Sequence, residues 1–411
     1  MKIGFLFNHD QVHQVAHALP IALAMRRSHP GAEVVIITTN ERLSDEVRYL
    51  SARLGERVEP VQLGLKRKLT RFAAKHLEAV LPISKLAVYR ENLDFFRGFD
   101  ALVVAEKTSL MLKWRYGIDD LKIIHTRHGA GDRAIGFNKA SAGFDHVLVS
   151  GAKVRDRLMR DAGVPADSMS VVGYPKFDLM PAVVPKLPFQ ANGKPTVLYN
   201  PHPSPHLSSW FEHGRAVLEH FAKDDRYNLI FAPHVMLFHR KFVVTIDKLR
   251  VDRPGVIEQR FHDAPNIHID LGSRASTDLT YTAAADIYLG DVSSQIYEFL
   301  HRPRPCLFID SHGAAWRDNP NYAHWQAGEV IADTSCLDVA LDRAVARHDR
   351  YIPIQRELFQ RSFELTAERS ADRAARAIMG VLVPSAPTPF EQRVPLSPPD
   401  VLPAAKSGRA A

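Results

Sequence analysis

Asp286-Ile-Tyr-Leu-Gly-Asp-Val-Ser-Ser-Gln-Ile-Tyr-Glu-Phe-Leu300 reads as a strand, a turn and a helix. Asp286 to Leu289 is apolar enough for a buried strand, and Gly290-Asp291-Val292 turns the chain. The spacing of Ile296, Phe299 and Leu300 predicts a helix opened by Ser293 and Ser294. A serine pair at a helix start caps it, and the N–H groups left outside the helical ladder suit a phosphate. Glu298, one turn after Ser294, shares its helix face and is placed to accept bonds from sugar hydroxyls. Read alone, the stretch is equally an ordinary capped helix after a strand.

The same unit recurs outward in both directions. Lys2 to Phe7, Glu33 to Thr38 and Arg57 to Leu63 read as strands, separated by helices over Val12 to Arg27 and Glu41 to Leu54. Pro20 predicts a kink or break in the first of these helices. Further strands are expected at 100–105, 121–126, 145–150 and 169–172. After the proline-rich stretch 181–195 the pattern restarts with Thr196 to Asn200 and Asn228 to Ala232. A helix is expected after Pro233-His234, through about Leu249. Strands at 266–270, 304–310 and 329–332 and helices over 337–348 and 354–382 complete it. Strands alternating with helices predict parallel sheets covered on both faces. The expected fold is therefore α/β, with two doubly wound Rossmann-like domains facing each other across a cleft. The first covers 1–180, 181–195 is a linker, and the second covers 196–353. Helices in 354–383 return toward the first domain, and a disordered tail follows over 384–411.

Composition narrows the function. A chain of 411 residues exceeds one ordinary core, and 45% hydrophobic with 24% charged residues is globular. The two cysteines and the start Met-Lys-Ile-Gly-Phe-Leu-Phe-Asn suit a cytoplasmic protein without a signal peptide. A formal net charge of +7 favours anionic partners such as nucleotides, phosphorylated substrates or an acidic membrane. The segment 65–92 places Lys66, Arg67, Lys68, Arg71 and Lys75 opposite an apolar stripe. That pattern fits an anionic membrane at the inner face, or a solvated helix over the core. No Gly-x-Gly-x-x-Gly follows the first strand and no Gly-Lys-Ser/Thr loop occurs, against a dinucleotide dehydrogenase or a P-loop enzyme. No nucleic-acid motif and no zinc-type Cys/His spacing occur.

Ligands in doubly wound sheets lie beyond the carboxyl ends of the strands. That rule selects His9 and Asp10 and the loop His125-Thr-Arg-His-Gly-Ala-Gly-Asp-Arg-Ala-Ile-Gly-Phe137. His128 has the chemistry of a general base, Arg127, Arg133 or Lys139 that of a phosphate ligand, and Gly129 permits close backbone approach. A polar loop with a structural histidine is the plainer reading of the same residues.

Taken in order, His128-Gly129 with Gly136-Phe137, Gly173-Tyr-Pro-Lys-Phe-Asp178, Val197-Leu-Tyr-Asn-Pro201, Phe231-Ala-Pro-His234, Asp278-Leu279 and Ala285 to Ser294 resemble the CDP-glycerol glycerophosphotransferase family. Arg304 to Ile309 fits the strand that follows. The resemblance implies a GT-B fold and a transferase that builds cell-surface polymers from a nucleotide-activated donor. It implies His128 as the base for the acceptor hydroxyl and His234 beside the transferred phosphate. Pro233 and Tyr199 would belong to the donor site with Ser293, Ser294, Glu298 and Asp291, the last shaping the pocket. His9, Arg127, Gly129 and Arg133 would serve the acceptor or a phosphate. The partners would be CDP-glycerol or a nucleotide sugar and a polymer or lipid-linked acceptor. No cofactor is implied beyond the donor, and no Asp-x-Asp motif calls for a metal. The chain has Asp-Val-Ser-Ser where the family often has Asp-Tyr-Ser-Ser, and Pro-His-Pro after Asn200 where a Pro-Thr-Trp type is usual. These departures leave a nucleotide sugar open as donor. Two alternatives stand: an isomerase like UDP-N-acetylglucosamine 2-epimerase, and a non-catalytic nucleotide-sugar binding protein.

Overall fold

The computed structural model describes the chain except residues 10–11, 68–69, 71–82, 128, 182, 240–241, 246–249 and 384–411. Strands β1 (Lys2–Phe7), β2 (Glu33–Thr38), β3 (Val61–Gln62), β4 (Ala101–Val104), β5 (Lys122–Thr126), β6 (His146–Val149) and β7 (Met169–Val171) form one sheet. Their order is β3-β2-β1-β4-β5-β6-β7. The second half begins with β8 (Thr196–Asn200) and β9 (Asn228–Phe231). A hairpin of β10 (Val243–Thr245) and β11 (Arg250–Asp252) follows, then β12 (Ile267–Ile269), β13 (Ile287–Gly290), β14 (Cys306–Ile309) and β15 (Glu329–Ile331). The second sheet runs β12-β9-β8-β13-β14-β15. Every pairing within the two large sheets is parallel.

Burial on both faces explains the apolar runs: β4, β6, β8, β9, β13 and β14 are buried at every position. Both sheets reverse winding beside their first strand, between β1 and β4 and between β8 and β13, so each has a switch point there. The expectation of two doubly wound domains matches this architecture.

Several local expectations do not. The helix Val15–Ser28 runs through Pro20 without ending, preceded by a 3-10 turn at Val12–Gln14. One lost hydrogen bond is outweighed by packing, because the helix is buried continuously from Val15 to Met25. Where a helix is expected after His234, the described residues form turns and the antiparallel pair β10–β11, since Val243-Val244-Thr245 favours extended backbone; the rest of that stretch, 240–241 and 246–249, lies outside the described residues. The helix after the serine pair is only Gln295–Phe299. Ser294 sits at its start without a capping side-chain bond, while the Ser293 hydroxyl accepts from Gln295 N–H at 3.3 Å. So short a helix adds little dipole, which leaves local N–H and hydroxyl groups as the donors at its start.

The last helix, Ser370–Leu382, returns to the first domain. Ala371, Ala374, Ala375 and Ile378 share a core with Ile3, Phe5, Ala22 and Leu23. Lys66 and Arg67 are exposed, with their backbone N–H groups on Glu91, whereas Lys68, Arg71 and Lys75 lie outside the described residues. No helix among the described residues is long and apolar enough to cross a membrane.

Ile378 is wholly buried where the last helix meets the first. Ile378→Ala should therefore lower unfolding free energy by about 2–5 kcal/mol, measured by urea denaturation.

Candidate active site

The two sheets present their carboxyl ends to a shared cavity of about 470 Å³. The loop after β4 contributes Glu106 and Lys107, and β5 with its following loop contributes His125, Arg127, Gly129, Gly131, Asp132 and Arg133. From the second domain come His202 after β8, His234 after β9, Val292, Ser293 and Ser294 after β13, and His324. Lys85 and Gln14 also reach it.

The domains meet at Asp132. Its carboxylate accepts from Lys153 Nζ at 2.9 Å, from the Tyr297 hydroxyl at 2.7 and 2.8 Å, and from His324 N at 3.2 Å; His324 Nδ1 lies 2.8 Å away. Lys153 belongs to the first domain, Tyr297 and His324 to the second. Burial pushes the Asp132 carboxyl up, yet Lys153, His324 and Tyr297 together hold it well below the usual carboxylate range. At Lys153 burial wins instead, and the ammonium falls below its ordinary value. Gly131 brings this loop against the serine pair, where an added Cβ would stand 3.1 Å from Ser294 Cβ. Gly129 adopts a φ of 75°, the left-handed region open to glycine.

Cations exceed anions around the cavity: Lys85, Lys107, Arg127 and Arg133 against Glu106 and Asp132. Both carboxylates are already engaged. Glu106 accepts from the Tyr89 hydroxyl at 2.7 Å and Ser109 N at 3.1 Å, as well as from Thr108. Burial, then neighbouring Arg127, brings Lys107 down to about 8, and its Nζ donates to Asn138 at 2.6 Å. Burial, then Arg157, brings Arg127 to about 10; it donates to Gly136 O at 2.7 Å and lies over Phe137.

Loss of hydration lowers His234 to about 4, so it is uncharged at neutral pH. Its Nδ1 accepts from Met236 N–H at 3.2 Å, which leaves the proton on Nε2. His234 is thereby a neutral donor. His13 and His234 are edge-to-face at 6.2 Å, and beyond them lies a second cavity of about 330 Å³. Val235, Met236, Phe238, Leu271, Arg42 and Arg274 line it.

Of the residues selected from sequence, Arg127, Gly129, Arg133, His234, Ser293 and Ser294 line the main cavity together. Asp10 and His128 lie outside the described residues. Glu298 does not line the cavity: Lys176 Nζ at 2.7 Å and the Tyr174 hydroxyl at 2.8 Å hold it in a buried interdomain pair. Asp291 is wholly buried. It accepts from Ser209 N at 2.6 Å, Ser209 Oγ at 2.9 Å, His202 N at 2.8 Å and Val292 N at 2.7 Å, and burial raises it to about 6 against those bonds. It ties the β8 loop to the serine loop from behind. Tyr199 is buried with its hydroxyl 2.9 Å from Ser209 Oγ, and Pro233, the residue before His234, is buried. His9 is buried beside Phe7, and Lys139 is exposed; neither lines the cavity.

Sequence reasoning did not select Glu106, Lys107, His202 or His324. Applying the strand-end rule to β4 and β8 would have found the first three. His324, in a 3-10 turn between β14 and β15, had no such signal.

No protein-family model matches the chain, and no curated protein matches its sequence. Its structure is similar to that of a putative UDP-N-acetylglucosamine 2-epimerase from Listeria monocytogenes, with TM-score 0.58, 12% identity, and 93% of this chain and 95% of that chain covered. It is also similar to S. aureus MnaA solved with UDP, with TM-score 0.58, 14% identity and coverage of 95% and 99%. The wall teichoic acid polymerase TagF gives TM-score 0.56, 12% identity and coverage of 93% and 89%. These neighbours are enzymes, and at such identity the likeness establishes the shared GT-B fold.

Asp132 carries the most exacting electrostatics of the site. Its folded pKa lies below the unfolded value of about 3.9, so its contribution is complete above that value and is lost as pH falls through it. Asp132→Asn should destabilise the protein by about 3–5 kcal/mol at pH 7. The gap between wild type and variant, followed by denaturation at a series of pH values, should hold from pH 8 to 5 and narrow below about 4.

Proposed function

We propose that this chain is a transferase that moves a polyol-phosphate or sugar group from a nucleotide-diphosphate donor to the hydroxyl of a polymer or lipid-linked acceptor. The observation that carries this reading is the cavity between the two switch points, with surplus positive charge on the first-domain wall and neutral donors on the second.

In this reading the diphosphate lies against Ser293, Ser294 and His234. Ser294 is exposed to the cavity, and Ser293 is held by its hydroxyl bond to Asn200 at 2.7 Å. Negative charge grows on the leaving diphosphate as its bond to the transferred group breaks, and the Nε2–H of His234 is aimed at that charge. An uncharged donor does not have to be stripped of hydration at each turnover. The second cavity takes the nucleoside, with Val235, Met236, Phe238 and Leu271 as apolar walls. His128 is the base for the acceptor hydroxyl, since its neighbours Arg127 and Gly129 both line the cavity. Lys107 and Arg127 attract the acceptor if it is a phosphate-bearing polymer, and exposed Lys66 and Arg67 suit an anionic membrane carrying it.

A second reading, an epimerase acting on a UDP-sugar, is favoured by one observation: the epimerase structures are covered over 95% and 99% of their length.

The discriminating experiment screens CDP-glycerol, CDP-ribitol and UDP-, GDP- and CMP-sugars by thermal shift, then identifies products by mass spectrometry. Transfer to an added acceptor supports the transferase, and inversion at the sugar without transfer supports the epimerase. No shift with any nucleotide contradicts both. His234→Ala should lower kcat by about 10²–10³-fold. His128→Ala should abolish transfer while leaving nucleotide affinity nearly unchanged; undiminished turnover contradicts its role as base.

A further inference from the structure

His202 faces two N–H donors with one lone pair. Ser204 N–H points at Nδ1 from 2.9 Å, and Arg133 Nη1 stands 3.1 Å from Nε2. A neutral imidazole has a single acceptor nitrogen, and a charged one has none. Both contacts therefore cannot be hydrogen bonds to the ring. The backbone N–H of Ser204 is fixed and closer, so Nδ1 is the acceptor and the proton sits on Nε2. Nε2–H and the Arg133 guanidinium then stand side by side, brought from opposite domains to the wall of one cavity, where an anionic oxygen facing them can accept from each.

Surroundings reinforce this. The loss of hydration, followed by Arg133, His234 and His206, holds His202 far below its ordinary pKa, so the ring stays neutral. His234, with its rings 6.2 Å from those of His202, has its proton on Nε2 for the same reason. The backbone of His202 is anchored independently, its N–H bonded to Asp291 at 2.8 Å. Three side chains of the cavity wall thus offer donors, from both sides of the cleft.

We propose that His202 and Arg133 form an anion clamp across the two domains, gripping one non-bridging phosphoryl oxygen of a bound diphosphate. This rests on the transferase reading only for the identity of the molecule that carries the diphosphate. The clamp is complete only when the first domain brings Arg133 to the second, so anion binding and domain closure support each other. His202 binds the anion as a neutral donor, without taking part in proton transfer.

Calorimetric titration with inorganic pyrophosphate tests the clamp without a nucleotide. Wild type should bind it. His202→Ala and Arg133→Ala should each weaken binding roughly 10- to 100-fold, as expected for a lost bond to a charged group. The double variant should lose less than the product of the two, because each donor depends on the other. His202→Gln places an amide N–H near the position of Nε2 and should restore affinity to within about threefold of wild type, while His202→Asn, whose amide falls nearer Nδ1, should behave as alanine does. Circular dichroism of each variant checks the fold. Wild type that binds no pyrophosphate overturns the clamp, as does Ala, Asn and Gln behaving alike. Unchanged affinity in His202→Ala with donors still turned over removes the clamp and leaves the transferase. Clamp-dependent binding without turnover of any donor keeps the clamp and removes the transferase.

Discussion

The Asp132 carboxylate is bonded from both domains at once, and the candidate site exists because of it. Lys153 holds it from the first domain, and Tyr297 and His324 hold it from the second. A buried charge of this kind is weak evidence for stability, since removing two ions from water offsets much of their attraction. Its consequence is geometric. His324 also places Nε2 3.1 Å from the Asp291 carbonyl, to which Trp325 Nε1 donates at 3.0 Å. The carbonyl belongs to the turn leading into Ser293 and Ser294. One carboxylate thus fixes the first-domain loop against the loop that presents the serine pair. Lys176 with Glu298, Arg53 with Asp278 and Arg274 with Glu46 tie the domains at three further places.

The chemistry follows from which groups keep their charge inside that closed space. The Asp132 and Glu106 carboxylates are bonded to their own neighbours: Lys153, Tyr297 and His324 at the first, Tyr89, Thr108 and Ser109 at the second. Lys107 and Arg127 contribute positive potential, both softened by burial. His202 and His234 give up charge and become oriented N–H donors. A cleft that combines cationic walls with fixed neutral donors favours a diphosphate whose charge increases during reaction.

Much of the fold was legible because both sheets are buried on both faces. Apolar runs such as Ile3 to Phe7 and Val197 to Tyr199 have few other uses, and their alternation with helices fixes the parallel topology. Interruptions were harder. Pro20 reads as a breaker until the last helix is seen packed on that region, and the strand pair β10–β11 falls within a stretch that reads as helical. In the site, residues at predicted strand ends such as Arg127, His234 and Ser293 were accessible to a rule about strand termini. The pairing of Glu298 was not legible, because its helix spacing from Ser294 is local whereas its partner Lys176 lies far away in sequence. His324 was invisible for the converse reason, since its role is set by Asp132 and Asp291, distant in sequence.

The central claim is that the space between the two domains receives a nucleoside diphosphate. A crystal structure of the protein soaked with CDP and, separately, UDP tests it most directly. Diphosphate density should appear bounded by Ser293, Ser294 and His234, with the nucleoside beyond His13 among Val235, Met236 and Leu271. Density for the nucleotide elsewhere, or a diphosphate lying away from the serine pair, would contradict it.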